Sequence, residues 1–391
     1  MSIAIDRDQA FLASIRRIAD EVAGPNADDV DRNARFPTET VEALRAERAF
    51  SAYIPEEYDG GGVSFEAIAT ACFELGRRCG ASAMVFAMHQ IQIAAIARHV
   101  DGAPWFEAYL RRVAREQRLV ASVTSEIGTG GDIGKSIAAV QPGDDEGMAT
   151  FEKQAPTVSY GAYADDLLTT LRRAPDAEPG DQVVALSHKE QFTLEQTGTW
   201  DPMGMRGTCS PGYVVRAAFP VEQVLPTPFS TVGTESMVPI SHILWSHLWL
   251  GISTDAFDRA RAFVRASAKS RPDQLPPTAT RLSQLMSELS LLRAEVSTGL
   301  RDFTEASAGD REALSTMATI LRFNNLKIAA SEQAPRVCQG AMSVCGIVGY
   351  KNDTPFSVGR HLRDTMSACL MVANDRIHQT NASLLLIAKD V

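Results

Sequence analysis

The hydrophobic period of this chain changes twice, and that limits the folds open to it. From residue 6 to 118 apolar residues recur at helical spacing, as at Phe11, Ile15, Ile18 and Val22, and again at Val41, Leu44 and Phe50. Phe36-Pro37-Thr38 predicts a helix start with Thr38 as N-cap. Phe65 to Gly76 and Ala81 to Val100 predict two longer, mostly buried helices. Between 119 and about 225 the texture is that of short strands: runs such as Val183-Val184-Ala185-Leu186 alternate with Pro, Gly and Asp clusters. Gly143-Asp144-Asp145-Glu146-Gly147 reads as a hairpin tip. Helical periodicity returns at Pro239, over 240–268, 280–306 and 311–334, and a last helix pair is predicted over 337–347 and 357–388. Strands confined to the middle exclude a doubly wound sheet, which needs strands alternating with helices throughout. The expectation is an α+β fold, mostly α. It has an N-terminal helical domain over 1–118, a central β domain over 119–230 and a C-terminal four-helix bundle over 231–391.

The first strand-like run, Leu119-Val120-Ala121-Ser122-Val123, feeds Ser125-Glu126-Ile127-Gly128-Thr129-Gly130-Gly131-Asp132. Glycines in such a loop adopt φ > 0 and let backbone N–H groups approach a ligand closely. By itself the loop is equally well a plain turn.

Composition narrows the partners. A net charge of −10 argues against nucleic acid, since no basic excess exists to neutralise phosphates. No apolar run reaches the length of a membrane span, and the N-terminus lacks the basic start and apolar core of a signal peptide. Six cysteines without a C-x-x-C pair are expected to be reduced and buried, as in a cytoplasmic enzyme. The seven histidines lack metal-ligand spacing, so no metal is expected.

Five strings occur in an order that resembles the acyl-CoA dehydrogenases. Arg35-Phe36-Pro37 with Ile54-Pro55-Glu56-Glu57-Tyr58-Asp59-Gly60-Gly61-Gly62 comes first, followed by the glycine loop. Then come Trp200-Asp201-Pro202-Met203-Gly204-Met205-Arg206-Gly207-Thr208, Gly346-Ile347-Val348-Gly349-Tyr350 and Leu362-Arg363-Asp364. The resemblance implies FAD bound where the β domain meets the bundle, with the ring edge at Thr124, Ser125 and Ser159. Further cofactor contacts are implied at Gly130, Gly131, Thr157, Asn374 and Arg376, with Arg271 and Ser343 on the phosphate and neighbouring-subunit side. It also implies an acyl thioester substrate (coenzyme A or a carrier protein), an electron-transfer flavoprotein or other acceptor, and a homo-oligomer, dimer or tetramer.

The departures from the family pattern bear on the reaction. The family's catalytic carboxylate falls on Val372, and its alternative position on Ser241, beside His242. Neither side chain takes a proton at neutral pH. Thr157 stands where a Trp shields the flavin, and Ser343 where a Gln is usual. The pyrophosphate Arg has no clean match: Ser267 falls at the direct count, and Arg271 fits only after a one-turn insertion. Three readings stay open: α,β-dehydrogenation with a relocated base, for which Asp375 and His89 are the candidates; a flavin-dependent monooxygenase, which needs no such base; and a non-catalytic partner in a heteromeric dehydrogenase.

Overall fold

A computed structural model describes residues 2–270, 274–309 and 311–388. Helix α1 (Ser2–Ile18) runs through a π-helical segment at Ala19–Ala23 into α2 (Gly24–Arg32), and α3 spans Thr38–Ala46. Thr38 is the first helical residue rather than the cap; Pro37 holds the cap position and no side chain caps the helix. Then follow α4 (Phe65–Gly76), α5 (Gly80–Ala97) and α6 (Pro104–Glu116). The Ser64 hydroxyl caps α4 by accepting from the Ala67 N–H.

By length and composition α5 is apolar enough to cross a membrane, which corrects the expectation that no such run exists. Nearly all of it is buried, against α4 and a long helix of the C-terminal bundle, so its apolar surface is spent on the core.

The strands are β1 (Val120–Val123), β2 (Gln141–Pro142), β3 (Met148–Ala155), β4 (Asp166–Arg172), β5 (Gln182–His188), β6 (Phe192–Gln196) and β7 (Tyr213–Pro220). They form two sheets, ordered β1-β4-β5 and β2-β3-β7-β6. Only β1–β4 is parallel; β2 and β3 close the hairpin expected at Gly143–Gly147. A buried carboxylate pins the first sheet to α6. Asp166 accepts from Arg118 Nε and Nη2 at 2.7 Å each, from Tyr109 Oη at 2.8 Å and from His188 Nδ1 at 2.7 Å. Burial would raise the Asp166 pKa, but Arg118 and His188 hold it below the usual carboxylate range.

The C-terminal part holds α7 (Phe229–Val232), α8 (Val238–Ser270), α9 (Ala279–Ala308) and α10 (Met317–Cys345), then α11 (Ile347–Tyr350), α12 (Gly359–Met366) and α13 (Asn374–Leu385). Two expectations are corrected here. The helix predicted to end near Ala334 continues through Pro335 to Cys345. Proline removes the donor that would satisfy the Ser331 carbonyl; Cys369 Sγ supplies it instead at 3.3 Å. The predicted helix over 357–388 is broken in two, and at the break Val372 has φ +44°. Cysteines 72, 79, 338 and 345 are buried as expected, whereas Cys209 and Cys369 are half-buried.

The family-like strings serve mainly as architecture. Asp364 Oδ1 accepts from the Met205 N–H at 2.7 Å, and Trp200 Nε1 donates to the Arg206 carbonyl at 3.0 Å. Arg363 pairs with Asp31 and donates to the Met203 carbonyl. Phe36 stacks on Tyr163 with centroids 4.2 Å apart. These contacts clamp the N-terminal helices, the β segment and α12 together.

Candidate functional site

A cleft of about 390 Å³ opens where three distant segments meet. The glycine loop contributes Gly131 to Gly134, and the start of α8 contributes Val238, Pro239 and His242. Ile320, Phe323 and Asn324 of α10 form the floor, and Val372, Arg376 and Ile377 close the remaining wall. The walls are mainly apolar, with polar groups concentrated at the loop and around Arg376, the composition expected of a small-molecule site.

The glycine loop is held by a buried ion pair. Glu126 accepts from Ser136 Oγ and from the Ala138 N–H at 2.6 Å each, and Lys153 Nζ lies 3.4 Å away. Lys153 also donates to the Thr170 carbonyl at 2.6 Å and to its hydroxyl at 3.0 Å. Burial pulls the Lys153 pKa down to about 8, against the attraction of Glu126. Burial would raise Glu126, but Lys153 and its hydrogen bonds lower it overall. Beyond this anchor Gly128, Gly130 and Gly131 all have positive φ. At Gly130 φ is +63°, a conformation that favours glycine, and a Cβ there would lie 2.7 Å from the Arg376 guanidinium, whose flexible side chain would have to move.

The opposite wall is held by a second buried lysine. Lys327 Nζ donates to the Val372 carbonyl at 3.0 Å and to Asn374 Oδ1 at 2.7 Å. Burial lowers its pKa to about 8.

Several expected site residues take other roles. Asn374 is buried, outside the cleft lining, and its side chain bonds Lys327 and Ser331. Asp375 is exposed in the first turn of α13, outside the cleft lining, where a carboxylate suits the helix dipole. His89 is fully buried; Nε2 meets the Phe50 carbonyl at 2.7 Å and Nδ1 meets the Val120 N–H at 3.1 Å. With both nitrogens engaged by backbone, His89 is a core histidine and not a base. Burial lowers its pKa to about 4. Ser241 gives its hydroxyl hydrogen to the Val238 carbonyl. Ser343 is exposed on α10, away from the cleft, and donates to Gln339. Arg271 lies outside the described residues.

Thr124, Ser125 and Ser159, expected at the ring edge, lie outside the lining of this cleft. Ser125 Oγ donates to the Thr157 carbonyl at 2.7 Å. With that hydrogen committed, the Ser125 oxygen offers lone pairs, which suit an N–H donor. Ser159 Oγ accepts from Ser210 Oγ at 3.0 Å, which leaves its own hydrogen for a ring acceptor. Thr124 Oγ1 is half-buried and 2.7 Å from Ser122 Oγ.

Sequence reasoning named His242 only as a neighbour and missed Lys327 and Phe323. Their common signal was available in the i, i+4 face shared by Phe323 and Lys327 on α10.

Residues 6–116 match the family described as "Acyl-CoA dehydrogenase, N-terminal domain". The chain is 23% identical to 3-sulfinopropanoyl-CoA desulfinase of Paraburkholderia xenovorans (strain LB400), over 98% of this chain and 97% of that protein. It is 25% identical to the probable FMNH2-dependent monooxygenase SfnC of Pseudomonas putida, over 93% and 92% of the two chains. Butyryl-CoA dehydrogenase from Megasphaera elsdenii shares the fold with a TM-score of 0.79 at 18% identity, covering 97% of this chain and 98% of that one. With the helix–strand–helix order and the glycine loop against the bundle, these likenesses show the acyl-CoA dehydrogenase fold with an N-terminal domain of that family, and they support a flavin-dependent oxidoreductase.

Proposed function

We propose that this protein is a flavin-dependent monooxygenase that takes reduced flavin, FMN rather than FAD, and acts with O2 on a small molecule in the cleft. One observation carries the reading: among the described residues the cleft wall offers no free carboxylate. Val372 lines it where a proton-abstracting base is implied, and the carboxylate that does line it, Asp132, is occupied. Asp132 accepts from the Gly134 N–H at 2.9 Å and pairs with Lys135 at 3.3 Å. The likeness to a protein named as an FMNH2-dependent monooxygenase supports the same reading.

Bound reduced flavin would supply the electrons that activate O2. Ser125, Ser159 and the backbone at Gly130 and Gly131 would orient its ring. Arg376 would set a positive charge beside it, and Val238, Phe323 and Ile377 would exclude water from the reacting centre. The division into three domains at about residues 119 and 230, a cytoplasmic location and a homo-oligomer belong to the same proposal.

The test is a direct comparison. Purified protein is assayed with FMN, a flavin reductase, NADH and O2 on small aromatic and sulfur-containing substrates. Separately, flavin-loaded protein is mixed anaerobically with butyryl- to decanoyl-thioesters. Oxygenated product in the first assay, with no bleaching of the flavin in the second, is expected. Thioester bleaching without reductase dependence would instead establish acyl-thioester dehydrogenation.

A further inference from the structure

His242 sits one turn into α8 and lines the cleft, 1% exposed. Its Nδ1 is 3.1 Å from the Phe323 carbonyl oxygen. A carbonyl only accepts, so Nδ1 carries the hydrogen and Nε2 carries a lone pair. Among the described residues no hydrogen-bond partner meets Nε2. Burial, reinforced by the charge on Lys327, lowers the imidazole pKa to about 3, so the ring stays neutral across the physiological range.

The hydroxyl hydrogens of the neighbouring Ser241 and Thr234 are already used. Ser241 donates to the Val238 carbonyl and Thr234 to the Ser230 carbonyl, while Asn324 Nδ2 gives one of its two hydrogens to Asn381 Oδ1. His242 Nε2 thus stands as an acceptor among the apolar lining residues Val238, Pro239, Ile320 and Phe323. A ligand that displaces water from that acceptor without replacing its hydrogen bond leaves a buried lone pair unpaired, which costs binding.

We propose that His242 selects the substrate: through Nε2 it accepts a hydrogen bond from the single N–H or O–H group of a small, otherwise apolar molecule. The inference rests on the proposed function only in taking this cleft as the substrate's seat. The ligand class is a compact phenol, aryl amine or N-heterocycle. A charged acid or a hydrocarbon without a donor lies outside it.

The test uses the flavin-loaded protein and two probes of nearly equal shape, 4-ethylphenol and 1-ethyl-4-fluorobenzene. Calorimetric titration of the wild type is expected to show the phenol bound about 10-fold more tightly, the ratio one net hydrogen bond supplies. His242→Phe is expected to equalise the two, and His242→Gln, which keeps an acceptor, to retain a preference. In wild-type protein labelled with 15N-histidine, the Nε2 resonance of His242 is expected to move with the phenol and stay in place with the fluoro compound. That measurement stands even if His242→Phe fails to fold. Equal affinities in the wild type, failure of both probes to bind, or a preference that survives in His242→Phe would overturn the assignment. A failed oxygenation assay alongside a clear phenol preference would overturn the monooxygenase reading and leave the role of His242 standing.

Discussion

Val372 occupies the left-handed region, φ +44°, which a β-branched residue enters only under constraint. Such conformations cost on the order of 1–3 kcal/mol and persist where surrounding contacts enforce them. The enforcing contact is Lys327, whose ammonium holds the Val372 carbonyl and Asn374 Oδ1 together. Lys327→Met should leave both acceptors short of a donor and lower stability by roughly 1–3 kcal/mol. The urea midpoint should fall, and proteolytic cleavage should concentrate near 367–374. An unchanged midpoint would show that the turn holds itself. At Ser159 the available hydroxyl hydrogen is the relevant group. Ser159→Ala should weaken flavin binding by roughly 5–10-fold, the effect of one net hydrogen bond, as read by fluorescence titration.

At the scale of elements, the glycine loop depends on the Glu126–Lys153 pair at its root. Glu126→Ala strands a buried lysine and frees the loop. The expected loss is about 3 kcal/mol, the low end for breaking a buried pair, because Lys153 keeps its Thr170 bonds. Thermal unfolding and flavin affinity should both decline. If only stability changes, the loop does not seat the cofactor. The loop, the hairpin at 143–147 and the long helices were visible in sequence because turn chemistry and hydrophobic period are local. Two elements were not. The passage of α10 through Pro335 relies on Cys369 to satisfy the Ser331 carbonyl. The break before α13 relies on Lys327, a residue remote in sequence. The five family-like strings identified the fold correctly, yet most of their side chains tie segments together. Resemblance therefore located the architecture better than the chemistry. The implied roles of Asn374, Asp375 and His89 went to a buried amide clamp, a helix terminus and a core packing site.

Over the whole molecule, four histidines are held neutral by burial: His89, His247 and His361 near a pKa of about 4, and His242 near about 3. The unfolded chain protonates histidine near pH 6.5, so it binds protons over the window from 6.5 to 4 that the folded chain refuses. Stability should therefore fall as pH drops through that window, by up to about 1.4 kcal/mol per pH unit for each histidine. Asp364, raised to about 6 by burial, works in the opposite direction and offsets about one of the four. Urea titrations from pH 7.5 to 4.5 measure the slope; a flat profile would mean that the histidines titrate in the native state. Ile347, Tyr350, Leu385 and Leu386 are largely exposed, and Ser343 is exposed on the same C-terminal helices. Such surface suits the proposed homo-oligomer. Light scattering at micromolar concentration should report a dimer or tetramer, and a monomer would contradict it.

The cleft exists only when Gly131, Pro239 and Val372 have all arrived from distant parts of the chain. No fragment can hold the ligand, so bound ligand counts wholly toward the intact state. Flavin at about 100 times its Kd would add about 2.7 kcal/mol to the whole fold. Nutrition could then govern abundance: a cell starved of riboflavin would lose this protein to its proteases without any change in its gene's expression.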